Sequence, residues 1–158
     1  MLNIRKNIFE TNSSSTHSIT ISYRSKDILE PCNLPQYVKD SKFVIKLFNY
    51  DEFNNSEEFE IIACSQYDRV AYIATAIFEN LCYKTNKSYE ELSNSYSNYQ
   101  ELNEFETLIK ELSGAKEIVF EGSDDLGLPG DGNDLDEIQE IGYKNFILKN
   151  YVCYQQSW

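Results

Sequence analysis

The sequence predicts an α+β domain, with a mostly antiparallel or mixed sheet of about five strands packed by two main helices. Three observations predict it. Short runs of alternating apolar and polar residues mark strands. Two longer stretches carry apolar residues at helical spacing. The two kinds of element mix without the regular strand–helix–strand order of a parallel sheet. At 158 residues, with 41% apolar content, 12 Tyr and 9 Phe, the chain is large and apolar enough to bury a core. Residues 1–158 are therefore expected to form a single domain, and no internal repeat is visible.

Ile19, Ile21 and Tyr23 alternate with Thr20, Ser22 and Arg24, the pattern of a half-buried strand. Residues 25–41 contain Pro31 and Pro35 and read as a loop with room for one helical turn. Phe43, Ile45 and Leu47 alternate with Val44, Lys46 and Phe48, a second strand. Asp51 to Ser56 is turn-like, and Phe59 to Ala63 makes a shorter third strand. Ser65 with Asp68 three residues on is a capping box. Val70, Ile73, Ala74, Ile77 and Leu81 then give a helix over 66–83. Ser88-Tyr89-Glu90-Glu91 repeats the capping signal, but Ser93 to Asn98 is poor helix material. Leu102, Phe105, Leu108, Ile109 and Leu112 build the other main helix, which Ser113-Gly114 ends. Ile118 to Phe120 is a short strand. Gly122 to Asp136 holds four Gly, one Pro and five Asp and reads as an irregular loop. Leu135 to Ile141 is suited to a short helix, and Phe146 to Tyr154 to a final strand.

Charge is distributed unevenly. Net charge is −12, yet residues 1–46 carry 7 Lys+Arg against 4 Asp+Glu, and residues 47–158 carry 7 against 22. The stretch 101–140 holds 13 acids and 2 lysines. A field of that sign repels nucleic acid and anionic membranes and attracts basic surfaces. Direct nucleic-acid or membrane binding is thereby disfavoured. No apolar run approaches membrane-spanning length, and no leader pattern opens the chain. Cys32, Cys64, Cys82 and Cys153 lack metal-ligand spacing, and His17 is the single histidine, so neither metal nor cofactor is expected. Reduced thiols and the missing leader point to the cytoplasm.

Three segments are candidates for function. In the first, Glu10, Thr11, Asn12, Ser13, Ser14, Ser15 and Thr16 lead into His17. Small hydroxyl and amide side chains favour turns, and such loops often carry sites. Hydroxyls and amides there suit a phosphate or carboxylate, with His17, Ser15 and Ser13 as candidate catalytic groups. A loop held by its own hydrogen bonds is the structural alternative. The second candidate is the acidic region. Asp131, Asn133, Asp134 and Asp136 have a calcium-loop flavour, but Leu135 occupies a ligand position and the spacing fails. Glu101, Glu104, Glu111, Asp124, Asp125, Asp131, Asp134, Asp136 and Glu137 instead offer a row of carboxylates. Such a row imitates the phosphates of duplex DNA, spaced about 1.7 Å along its axis. Basic surfaces that hold nucleic acid would be its partners. A merely solvated acidic loop is the plainer alternative. The third is Tyr83 to Tyr99, where Tyr is interleaved with Ser, Asn and Glu; it reads as a contact surface or a linker.

The opening Arg5-Lys6-Asn7-Ile8-Phe9-Glu10-Thr11-Asn12-Ser13-Ser14-Ser15-Thr16-His17-Ser18 resembles that of a family of small bacteriophage and mobile-element proteins from low-GC bacteria. The motif marks membership and carries no settled activity. Many relatives bear a second His-containing motif after the late strand, where this chain has Gly122-Ser123-Asp124-Asp125-Leu126-Gly127. Chemistry that needs a histidine pair is therefore not implied. As a class, small acidic phage proteins resemble anti-CRISPR-like anti-defence inhibitors. That analogy implies a host partner such as an RNA-guided nuclease, bound at its nucleic-acid channel. The competing expectation is a small enzyme acting on a nucleotide or phosphoester.

Overall fold

The computed structural model describes residues 3–5, 17–23, 29–49, 60–63, 65–128, 134–149 and 151–157. Four strands form an antiparallel sheet: β1 (Asn3–Arg5), β2 (His17–Tyr23), β4 (Glu60–Ala63) and β6 (Tyr151–Ser157), in the order β1-β2-β6-β4. The register pairs Ile4 with Ile21, Ile21 with Cys153 and Tyr23 with Tyr151. A second sheet pairs β3 (Lys42–Lys46) in parallel with β5 (Glu117–Glu121), setting Phe43 against Ile118 and Ile45 against Phe120.

The expected sheet of about five strands packed by two main helices is corrected by this arrangement. The class is α+β, but the strands divide between two sheets. Among the described residues there are five α-helices: α1 (Gln66–Thr85), α2 (Tyr89–Ser93), α3 (Gln100–Ser113), α4 (Asp134–Ile141) and α5 (Tyr143–Leu148). Edge chemistry explains the split. Asp40 and Ser41 take left-handed φ values of 52° and 62°, and Lys39 and Lys42 exchange two backbone bonds of 2.9 Å across them. This is the geometry of a tight two-residue hairpin turn. Further along β3, the Tyr67 hydroxyl accepts from Lys46 N at 3.1 Å and donates to the Val44 carbonyl at 2.8 Å. The outer edge of β3 is thus occupied by a turn and a side chain. On β5, the Tyr89 hydroxyl donates to the Phe120 carbonyl at 3.2 Å.

The capping signals behave as the sequence predicts. The Ser65 hydroxyl accepts from Asp68 N at 3.0 Å, and that of Ser88 accepts from Glu91 N at 3.2 Å. Gly114 ends α3 at φ 77°, a value that suits glycine. The predicted strand over Phe146 to Tyr154 is corrected: its first part is helix α5, and β6 starts only at Tyr151. Phe146, Ile147 and Leu148 are all buried. The buried Arg69 donates to the Ile147 carbonyl from Nε at 3.1 Å and Nη2 at 2.8 Å, which satisfies the end of α5. The irregular loop is shorter than expected, because α4 begins at Asp134. The turn assigned to Asp51–Ser56 lies outside the described residues.

The core gathers around α1, in which every residue from Val70 to Phe78 is buried. Phe78 meets Tyr89 at 5.2 Å and Phe120 at 5.1 Å between ring centroids, and Tyr96 meets Phe120 at 5.5 Å. These edge-on ring contacts tie α2 and β5 to α1. A Cβ on Gly122 would lie 2.9 Å from Leu47 Cδ1 and 3.1 Å from Tyr89 Cζ. Leu47 and Tyr89 are both buried, so neither yields readily. Two outcomes are expected in chemical denaturation. Gly122→Ala should cost about 1–3 kcal/mol through overpacking. Ser41→Gly should raise stability by up to about 1 kcal/mol by relieving the left-handed backbone.

Candidate functional site

The acids are positioned by α3, α4 and the loop over 122–128. On α3, Leu102, Phe105 and Ile109 bury one stripe. Helical spacing turns Glu104 and Glu111 to solvent and leaves Glu101 half-buried. Glu101 and Glu104 flank a shallow groove of about 190 Å³, completed by Gln139 of α4 and Tyr143 of α5. The Tyr143 ring stands edge-on to Phe105 at 5.8 Å. Its hydroxyl accepts from Gln139 Nε2 at 3.3 Å. Burial pushes the Tyr143 phenol up, and the charges of Glu101 and Glu104 push the same way, against the Gln139 hydrogen bond. Asp136 is exposed on α4.

Glu137 departs from the expectation of a surface contact: it is 2% exposed, inside the core flank of α4 between Leu135 and Ile138. It is removed from the candidate acidic face. Asp134 opens α4, while Asp131 lies outside the described residues.

Asp124 and Asp125 sit apart from the α3–α4 groove, on a loop pinned by its backbone. Leu126 N donates to the Ser123 carbonyl at 3.1 Å, and Gly127 N to the Phe48 carbonyl at 3.0 Å. Asp125 N donates to Ser123 Oγ at 3.3 Å, and Leu128 N to Glu79 Oε2 at 3.0 Å. The Asp124 carboxylate accepts from Glu90 N at 3.4 Å. Under this loop runs a second groove, of about 370 Å³, whose walls include Glu79, Cys82, Lys87, Tyr89, Asp124 and Leu126. Burial pushes the Glu79 carboxyl up, opposed by the Leu128 hydrogen bond. Burial also pushes the Cys82 thiol up, with Asp124 and Glu79 adding to it, so this thiol is not primed as a nucleophile. The two grooves share no residue named here, so the acids form two groups rather than one continuous row.

The N-terminal candidates divide likewise. His17 begins β2, where the register sets it opposite Ser157 of β6. Glu10, Thr11, Asn12, Ser13, Ser14, Ser15 and Thr16 lie outside the described residues. Among the described residues, no group of three or more His, Cys, Asp and Glu converges to hold a metal ion. Nor is any helix there long and apolar enough to cross a membrane. Of the Tyr-rich stretch, Tyr89 is buried, Tyr96 and Tyr99 are half-buried, and only Tyr83 stands fully in solvent at 89%. The stretch is therefore packed structure rather than a linker.

Sequence reading missed Glu79 and the groove it lines. Its one signal was an acid at the end of an otherwise apolar helical run. In comparison with known proteins, no family model matches the chain, and no curated protein or solved structure matches it significantly.

The raised Glu79 carboxyl has a signed consequence. A carboxyl whose folded pKa lies above its unfolded value loses stability as pH rises between the two, and the loss is complete above both. Glu79→Gln retains an acceptor for Leu128 N and removes the buried charge. It should melt higher than the parent at neutral pH, with the difference fading as pH falls to the ordinary glutamate range. Melting curves recorded between pH 4 and pH 8 check this.

Proposed function

We propose that this chain is a phage-type anti-defence inhibitor, anti-CRISPR-like in mode, that acts in the host cytoplasm as a binding protein without a cofactor. Its acidic surface docks on the basic, nucleic-acid-handling surface of a host effector such as an RNA-guided nuclease. There it stands in for nucleic acid and excludes DNA or RNA. One observation supports this reading above the others. Glu101, Glu104, Glu111, Asp124, Asp125 and Asp136 all reach the surface, and none of them takes part in the ion pairs Lys42–Glu117 at 3.7 Å and Lys110–Glu106 at 2.8 Å, which lie among the described residues. Among the described residues, none of those six carboxylates is in an ion pair, which leaves them available to a partner's Lys and Arg. Complementary charge of this kind speeds association and selects the partner.

Association should therefore be strongly salt-dependent, since exposed charges are screened beyond about 10 Å at 0.1 M ionic strength. Two charge-reversed variants test the reading against a panel of RNA-guided nucleases. One carries Lys at positions Glu101, Glu104 and Asp136, the other at Asp124 and Asp125. At least one should slow association by tenfold or more at low salt and restore nucleic-acid binding to the nuclease. Unchanged affinity and salt dependence in both would remove the acidic surface as the contact.

A second reading, a small enzyme acting on a nucleotide or phosphoester, is favoured by the pairing of His17 with Ser157 across β2 and β6. His17→Ala separates the readings. Turnover lost with folding retained supports the enzyme; full anti-defence activity in the variant excludes it.

A further inference from the structure

The two-stranded sheet turns one face to the core and the other to solvent. Strand periodicity sends Phe43 and Ile45 of β3 inward with Ile118 and Phe120 of β5, where Phe120 meets Phe78 of α1 at 5.1 Å. Lys42, Val44 and Lys46 therefore lie on the outer face, with Glu117, Val119 and Glu121 beside them. The parallel register makes three rungs of these six: Lys42 by Glu117, Val44 by Val119, and Lys46 by Glu121. All four charged residues are exposed, and both valines are partly so. The face is thus a lysine column and a glutamate column with an apolar centre. Lys42 and Glu117 approach only to 3.7 Å, and their side chains stay 53% and 58% exposed, so the pair leaves both charges open to other partners. The chain carries a net charge of −12, which makes copies repel one another. These rungs hold lysine and glutamate in equal number, so a copy approaching here meets no net charge from them.

We propose that a second copy of this chain docks on this face, about a two-fold axis parallel to the strands. The same patch then serves both subunits. That axis exchanges the two columns and keeps each rung level. Lys42 faces the partner subunit's Glu117, Lys46 faces the partner subunit's Glu121, and each charged rung becomes a square of alternating sign. A two-fold across the strands would set lysine on lysine and glutamate on glutamate, so the charge pattern selects the first arrangement. It also aligns the strands of the stacked sheets, an ordinary packing at about 10 Å separation, with Val44 and Val119 filling the centre. Two five-residue strands make a small face, below the roughly 800 Å² per partner of a standard interface, so the dimer is weak and forms at high concentration. None of its four charged residues belongs to the acidic surface assigned to a host partner, and either reading can fail alone.

Sedimentation equilibrium of the full chain tests it, at concentrations up to about 1 mM, where a weak dimer populates. The parent should show reversible monomer–dimer behaviour. Lys46→Glu and Glu121→Lys should each weaken self-association about tenfold or more, because each makes one rung a single sign. Glu121→Lys is the sharper of the two. It reduces the net charge from −12 to −10, so general repulsion alone would strengthen its self-association, whereas the rung geometry weakens it. An equimolar mixture of the two variants should associate about tenfold or more tightly than either alone, since an all-glutamate rung then meets an all-lysine one. Melting curves check that the variants fold, and Lys42→Glu with Glu117→Lys repeats the test on the other charged rung. A parent that stays monomeric throughout, single variants that dimerise as the parent does, or a mixture that associates no better than its components would overturn the proposal.

Discussion

The structure depends on the burial of α1, continuous from Arg69 to Phe78, because a buried helix must place each of its polar side chains against something that can satisfy it. Gln66 is 2% exposed and holds the loop beside it twice, accepting from Asn33 N and donating to the Pro31 carbonyl, both at 2.9 Å. Arg69 closes the end of α5 at the Ile147 carbonyl. Thr75 accepts from Phe48 N at 3.0 Å while donating to its own helix at Ala71. Glu79 holds Leu128 N. One helix thus tethers four separate segments, each through a backbone group that would be costly to bury unpaired. The half-buried Tyr67 adds a fifth tether, the edge of β3. Apolar burial holds the helix in place, and these bonds decide which segment lies against which part of it.

That constraint accounts for what could be read in advance. Local signals are complete within a few residues, so the Ser65 and Ser88 caps, the Gly114 stop and the alternation around Phe43 and Ile45 were legible. The partition into two sheets was not, because the edge of β3 is closed by Tyr67, 21 residues away in sequence from Lys46. The misread at Phe146 has the same origin. An apolar triplet carries no period that separates strand from helix, and what caps this helix is an arginine 78 residues distant. Among the acids, composition gave the charge but not its direction. Glu137 shows the difference: it adjoins Ile138 on the buried side of α4, and a count of carboxylates cannot exclude it. Glu79 is the converse, an acid read as part of an apolar helix that instead helps form a groove.

The titratable groups act as distributed probes of the field. Burial is the leading cause of the raised values at Tyr67, Cys82, Tyr89, Tyr96 and Tyr143, but at every one a carboxylate pushes the same way. Those carboxylates belong to α1, α3, β5 and the loop over 122–128. The negative potential is therefore a property of the described helical body, not of one patch. A broad field steers a basic partner toward the molecule from many directions, yet it cannot by itself fix how the partner sits. Orientation has to come from short-range features, and the two grooves differ in what they offer. The α3–α4 groove is shallow and open, with a phenol and two carboxylates that a long basic side chain can reach from outside. The groove at Glu79 is larger and has a pinned loop on one side, with Tyr89 and Leu126 beside its acids. Long-range attraction and local fit thus come from different residues, which is why charge reversal in one group need not have the same effect as reversal in the other.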